Sequence, residues 1–294
     1  MKNILITGEN GYIGNQFSNW VLANFPNQIS VEFLSVRNDE WRNKDFSMYD
    51  SVLHLAGIAH SSRHASNKEL YYRINRDLTF EVATHAKKYG VKQFIFMSSI
   101  IVYGDADSRE TIIDKHTVPN PATFYGDSKL QAESLVNTLK DNKFKVAVIR
   151  PPMIYGEGSK GNYSRLSRLA SITPVFPDFI NKRSMLFVDN LSMFLYQIIE
   201  SQSEGLFFPQ NNSYVNTSEM VQVIAKSKNK KVFLIPGFQL FIKLMIKRFE
   251  VTNKLFGTFI YDQELSQLNG NTDYCIYDFH ESIFITEGIK YEKK

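Results

Sequence analysis

Tyr125 and Lys129, in the stretch "YGDSK", are side chains whose types and spacing could move a proton at an alcohol or ketone oxygen. An isolated phenol titrates near pH ~10, too high to act alone at neutral pH. An ammonium one helical turn away favours the phenolate and lowers that value. The i, i+4 spacing puts both groups on one face of a helix. Such pairs are common on solvent-facing helices, so this one carries chemistry only if other elements bring a hydride carrier beside it.

The opening stretch "MKNILITGENGYIGNQF" could hold such a carrier. An apolar run over residues 2–7 reads as a buried strand. Gly8, Gly11 and Gly14 follow it, and Ile13, Phe17, Trp20, Val21 and Phe25 then recur at helical spacing. A backbone that wraps a pyrophosphate must come close to it, and glycine removes the obstructing Cβ. The helix beyond offers unpaired N–H groups and the positive end of its dipole. A glycine-rich turn at the first βα junction therefore points to a dinucleotide.

The remaining elements would position the two stretches. Strands are expected at 29–36, 51–57, 92–99 and 144–152, and helices at 12–25, 67–90 and 126–142. This alternation implies right-handed βαβ units and a parallel sheet. The expected fold is α/β: a Rossmann-type doubly wound parallel sheet with a smaller C-terminal substrate-binding lobe. Residues 1–152 would form the NAD(P)-binding domain. Residues 153–294 would form mainly the substrate lobe, with the last returning sheet elements.

The chain resembles the extended branch of the short-chain dehydrogenase/reductase superfamily, which contains nucleotide-sugar epimerases, dehydratases and reductases. Thr7 to Gly14 match that branch's T-G-x-x-G-x-x-G. "HLAG" (54–57), Asn75 in "YYRIN", "SSIIVYG" (98–104), "YGDSK" (125–129), "RPPMIYG" (150–156) and "KRSMLFVDNL" (182–191) follow in the branch's order. The resemblance implies that Tyr125, Lys129 and Ser99 are catalytic, with Ser99 bonding the reacting oxygen. It implies a cofactor site made of Gly8, Gly11, Tyr12, Ile13, Gly14, Arg37, Leu55, Ala56, Gly57, Asn75 and Lys129. Substrate contacts would come from Ser99, Tyr125, Met153, Asn162, Arg165 and Arg183. Arg183 is the candidate for the diphosphate, since a fork of donors suits phosphate oxygens. The resemblance also implies a homodimer.

Which reaction follows depends on neighbouring residues. The family's dehydratases carry an acid–base pair where this chain has Ile100 and Ile101, and two isoleucines cannot move a proton. A UDP-4-keto-6-deoxy-N-acetylhexosamine reductase and a UDP-hexose 4-epimerase remain. NAD-binding folds place an acidic residue about 20 residues beyond the glycine turn. Here that region reads "FLSVRND". Arg37 suits a 2′-phosphate, which favours NADP(H) and a reductase of polysaccharide precursor synthesis. If Asp39 reaches the ribose instead, NAD(H) is the cofactor. Met153, where sugar 4-epimerases commonly carry Asn, also tilts away from epimerase. A non-catalytic dinucleotide sensor is the remaining class, although such proteins usually lose the Tyr or the Lys.

Composition sets the outer bounds. The chain has 294 residues, 43% hydrophobic and 22% charged, as ordinary globular proteins do. A net charge of +4 is too mild for a nucleic-acid partner. The single Cys275 forms no internal disulfide, and the chain runs into strand-like sequence without a leader, so a cytoplasmic location is expected. His54 reads as a core histidine. His60, His64, His85, His116 and His280 show no metal-ligand spacing, so no metal is expected. The basic runs 226–231 and 243–248 read as solvated faces. Residues 238–257 carry too many charges to span a bilayer, and read as a pair of helices closing the substrate lobe or as a segment that lies on a membrane surface.

Overall fold

β1 (Lys2–Thr7), α1 (Tyr12–Asn24) and β2 (Ile29–Leu34) form the first βαβ unit, and β3 (Ser51–His54) then pairs with β1 on its other side. The computed structural model describes residues 1–59, 68–104, 111–268 and 270–289. β4 (Gln93–Met97), β5 (Lys145–Ile149) and β6 (Gly205–Phe207) extend the sheet outward from β3. The strand order is β2-β1-β3-β4-β5-β6, and every pairing is parallel. The order reverses between β1 and β3. That switch point opens a crevice at the carboxyl ends of the two strands, where such sheets bind ligands.

Parallel strands covered on both faces read as continuous apolar runs. Leu5, Val52, Phe94, Phe96, Val146 and Val148 are all buried in one cluster with Val82, Ala83 and Ala86 of α3 (Leu78–Lys88) and with Ala132 and Val136 of α4 (Phe124–Asn137). Gln93 is the polar exception. Its amide donates to the carbonyls of Ile198 and Ser203 at 3.0 and 2.8 Å and accepts from the Ser51 hydroxyl at 2.9 Å. It thereby ties β4 to β3 and to the end of the helix Val188–Ser201.

The single helix expected over 67–90 is three pieces among the described residues: α2 (Lys68–Tyr71), a π turn at Tyr72–Asp77, and α3. Residues 60–67, and with them His60 and His64, lie outside the described residues. The π turn carries the buried Asn75 and marks a local widening of the helical ladder, a feature often found at functional sites.

The chain divides into two units that are discontinuous in sequence. The first comprises residues 1–105, 118–151 and 191–209, and holds the six-stranded sheet. The second comprises residues 106–117, 152–190 and 210–294. Among its described residues are three two-stranded parallel pairs: Met153–Tyr155 with Met185–Phe187, Thr111–Ile113 with Phe259–Tyr261, and Val175–Pro177 with Phe233–Ile235. Buried aromatics organise it: Tyr155 stacks on Tyr163 at 5.4 Å, bonds Ser282 at 2.6 Å and accepts from Asn211 at 3.0 Å. The pair of helices expected in 238–257 is present as Gln239–Arg248 and Glu250–Phe256.

Candidate active site

The glycine turn lies at the switch point, between β1 and α1. Gly8 has φ +96°, and a Cβ there would stand 2.9 Å from the Ala56 nitrogen. The turn and the "HLAG" segment therefore touch backbone to backbone, which no larger residue permits. Gly11 donates to the Gly8 carbonyl at 3.0 Å and begins α1 without a side-chain cap, and the first turn of α1 holds no acidic residue. The N–H groups around Tyr12 and Ile13 thus keep their affinity for an anion. Gly14 is buried, and a Cβ there would press on Phe33, Ile6 and Leu55. A Cβ on Gly57 would lie 3.0 Å from Asn75 Oδ1 and 3.3 Å from Lys129 Nζ. Close-approaching backbone at Gly8, the lack of a Cβ at Gly57 and an uncapped helix start between them fit a dinucleotide.

α4 brings Tyr125 and Lys129 to the same end of the sheet. Thr123 caps it by accepting from the Gly126 amide at 3.1 Å. A Cβ on Gly126 would come 2.8 Å from the Ile101 carbonyl, so glycine lets the helix start close against the turn that follows β4. In that turn Ser99 caps the short helix Ile100–Tyr103, accepting from the Ile101 amide at 3.3 Å. The Ser99 side chain stands by the Tyr125 phenol and eases its ionisation. Three separated stretches, 98–104, 125–129 and 54–57, converge here as their order along the sheet requires.

The electrostatics differ from the simple expectation that Lys129 lowers the phenol. Burial pushes Tyr125 up to about 12, a rise that the Ser99 side chain only partly opposes. Burial also brings Lys129 down to about 8, with Glu133 pulling the other way. The Lys129 ammonium donates to the Met97 carbonyl at 2.9 Å and lies 4.7 Å from the centre of the Phe96 ring. Near neutral pH the protein alone therefore keeps a neutral phenol four residues from a lysine that is still mostly an ammonium.

Asn75 is a clamp. Its side chain accepts from the Ile58 amide at 2.8 Å, and donates to the Ile58 carbonyl at 3.0 Å and to Ser128 Oγ at 3.1 Å. Ser128 in turn donates to the Tyr125 carbonyl at 2.9 Å. His54 completes the chain of contacts. Its Nδ1 lies 2.7 Å from Thr7 Oγ1 and its Nε2 lies 3.0 Å from Thr79 Oγ1. Thr79 spends its own proton on the Asn75 carbonyl at 2.8 Å, so Nε2 carries the imidazole proton and Thr7 donates to Nδ1. Burial holds His54 neutral, down to about 3. It is a satisfied core histidine, as its sequence setting suggested.

Sequence reasoning missed Glu133 and Arg150. Glu133 lies one turn beyond Lys129 on α4, and Arg150 directly follows β5. The guanidinium grips both carboxylate oxygens, with Nε 3.0 Å from Oε1 and Nη2 2.5 Å from Oε2. Glu133 also accepts from the Ser98 hydroxyl, and Arg150 donates to the Tyr103 hydroxyl at 2.7 Å. The available signal was a pair of opposite charges, each on an otherwise apolar face.

Met153, Asn162, Arg165 and Arg183 all belong to the second unit. Met153 opens a strand in register with Met185. Asn162 and Arg165 are exposed, one turn apart at the start of the helix Asn162–Ile172. Arg183 is partly buried, donates to the Gly257 carbonyl at 3.0 Å and makes no ion pair among the described residues. Burial brings it down to about 10. In the first unit, Arg37 is exposed three residues beyond β2, while Asp39 binds Arg42 at 3.0 Å.

Sheet order, glycine turn and the Tyr125–Lys129 helix together define a dinucleotide-dependent oxidoreductase fold, and residues 4–206 match the NAD dependent epimerase/dehydratase family. The chain belongs to that family. It is 30% identical to a UDP-glucose 4-epimerase of Vibrio cholerae over 283 residues, covering 87% of this chain and 86% of the relative. It is 27% identical to an N-acetyl-alpha-D-glucosaminyl-diphospho-ditrans,octacis-undecaprenol 4-epimerase of Escherichia coli, covering 78% and 73%. The solved UDP-N-acetylglucosamine 4-epimerase of Bacillus cereus superposes with a TM-score of 0.75 at 18% identity, covering 97% of each chain.

Proposed function

We propose that this enzyme interconverts the two configurations at carbon 4 of a UDP-hexose, using a nicotinamide dinucleotide that it retains through the cycle. The observation that carries this reading is near-full-length similarity to a UDP-glucose 4-epimerase, around a site with Tyr125, Ser99 and Lys129 and with isoleucines at 100 and 101. When bound, the dinucleotide supplies the hydride acceptor and then the donor. Ser99 holds the 4-hydroxyl oxygen in place. Tyr125 takes the proton from that oxygen as it becomes a ketone, and returns it when the alcohol re-forms. The phenol must first lose its own proton. The Lys129 ammonium and the Ser99 hydroxyl are the groups here that favour the phenolate. Arg183 is our candidate for the diphosphate, as a partly buried cation without a carboxylate partner among the described residues. Asn162 and Arg165 are weaker candidates, and Met153 is a candidate sugar contact.

A second reading has one specific observation in its favour. Arg37 is exposed just beyond β2 and Asp39 is occupied by Arg42, an arrangement that suits NADP(H) and the reduction of a UDP-4-keto-6-deoxy-N-acetylhexosamine. One experiment separates the two. Purified enzyme is incubated with UDP-glucose or UDP-N-acetylglucosamine and NAD, and the sugars are resolved by chromatography. Interconversion that is lost in Tyr125→Phe supports the epimerase. No interconversion, with stoichiometric NADPH consumption on the 4-keto sugar, supports the reductase instead.

A further inference from the structure

We propose that the second unit docks on an anionic membrane surface through the segment 230–249. The helix Gln239–Arg248 is apolar on two sides. Ile242 is buried against the protein, while Leu240, Phe241 and Leu244 face outward at 73%, 59% and 61% exposure. Positions 240, 241 and 244 fall on one stripe of a helix. Phe233 and Phe238 precede it and Phe249 follows it, and all three are exposed. Phe233 sits in register with the exposed Val175, so the strand pair extends the same kind of apolar surface. Single exposed apolar residues need no explanation, but a run of large ones along one segment does.

Charge selects the partner. From Met220 to Phe249 the chain has seven lysines and arginines and no acidic residue. Lys231, Lys243 and Arg248 are exposed beside the apolar residues. Asp178 lies alongside, its amide bonded to the Ile235 carbonyl, and Lys228 is already paired with Glu287 at 2.9 Å, so the cations that remain for a partner are the exposed ones. Lysines flanking an apolar stripe suit a headgroup layer, where the stripe enters the acyl boundary and the cations meet phosphates. A second copy suits it less well, because a two-fold contact would bring together two basic segments, neither of which has an acidic residue between 230 and 249 to offset the charge. The helix has ten residues, about 15 Å, half of a hydrocarbon core, so it lies in the interface plane. No helix among the described residues is long and apolar enough to cross a membrane.

The test is co-sedimentation of the full chain with vesicles of phosphatidylcholine alone, and of phosphatidylcholine mixed equally with phosphatidylglycerol. The expected result is binding to the mixed vesicles, weakened about tenfold or more in Phe241→Glu/Leu244→Glu and weakened by salt. Lys231→Glu/Lys243→Glu should reduce the preference for anionic vesicles while leaving the apolar stripe intact. A far-UV circular dichroism spectrum and a urea midpoint like those of the wild type show that each variant is folded. Two results overturn the proposal. One is equal retention of wild type and Phe241→Glu/Leu244→Glu on mixed vesicles, or retention of neither. The other is a wild-type oligomer that the apolar variant splits, without vesicle binding, which makes the surface a self-interface.

Discussion

Arg150 holds Glu133 by both carboxylate oxygens, and both side chains are about 5% exposed, directly behind the turn that presents Ser99. A buried pair of this kind gives weak net stability but is costly to break, because the surviving charge is stranded. Glu133→Leu or Arg150→Met alone should cost about 3–5 kcal/mol. Glu133→Leu/Arg150→Met together should cost clearly less than the sum. Urea unfolding of all three variants measures the coupling. Additive losses would mean that the two groups act separately.

Gly8 meets Ala56 with no room to spare, at a backbone angle that a side chain rarely adopts. Gly8→Ala should carry about 1–3 kcal/mol of strain and weaken dinucleotide binding about tenfold or more. Titration by NADH fluorescence reads the affinity. Gly90→Ala is the control: its φ is +79°, yet a Cβ there meets nothing within 4 Å, and it lies at the end of α3. It should carry strain but leave the affinity unchanged. Equal loss in both variants would assign the effect to folding.

His54 stabilises the fold in its neutral form. Its folded value of about 3 lies below the usual 6.5, so as pH falls the unfolded chain takes up the proton first. Its contribution is complete above pH ~6.5 and is lost progressively between ~6.5 and ~3. His54→Leu should be less stable at neutral pH, through loss of the bonds to Thr7 and Thr79. It should also show a shallower decline in urea midpoint on acidification. Parallel pH dependences in wild type and variant would show that His54 is not the titrating group.

Arg37 tests the choice of cofactor. If it meets a 2′-phosphate, Arg37→Asp should lower NADP affinity about tenfold or more and leave or improve NAD affinity. Competition titration of both dinucleotides gives the ratio. An unchanged ratio would remove Arg37 from the site and leave the NAD-dependent reading without its main objection.

Much of the sheet was legible because its signals are local. Apolar runs of four to eight residues bounded by glycine or proline mark β1, β3, β4 and β5, and helical spacing marks α1 and α4. The π turn was not legible. Residues 67–90 keep a helical pattern throughout, and the widening at Asn75 depends on its bonds to Ile58 and Ser128, which are 17 and 53 residues away.

Sequence alone determined the order of the elements, the glycine turn and the Tyr125–Lys129 spacing, because each lies within one stretch of chain and follows from backbone periodicity. Only the tertiary structure decided what those groups face. It half-buried Tyr125 and buried Lys129, and so shifted both away from the simple picture of an activated phenol. It paired Glu133 with Arg150, and it turned an apolar stripe at 240–244 outward. Burial and pairing depend on residues distant in sequence, and one-dimensional spacing carries no record of which of them meet.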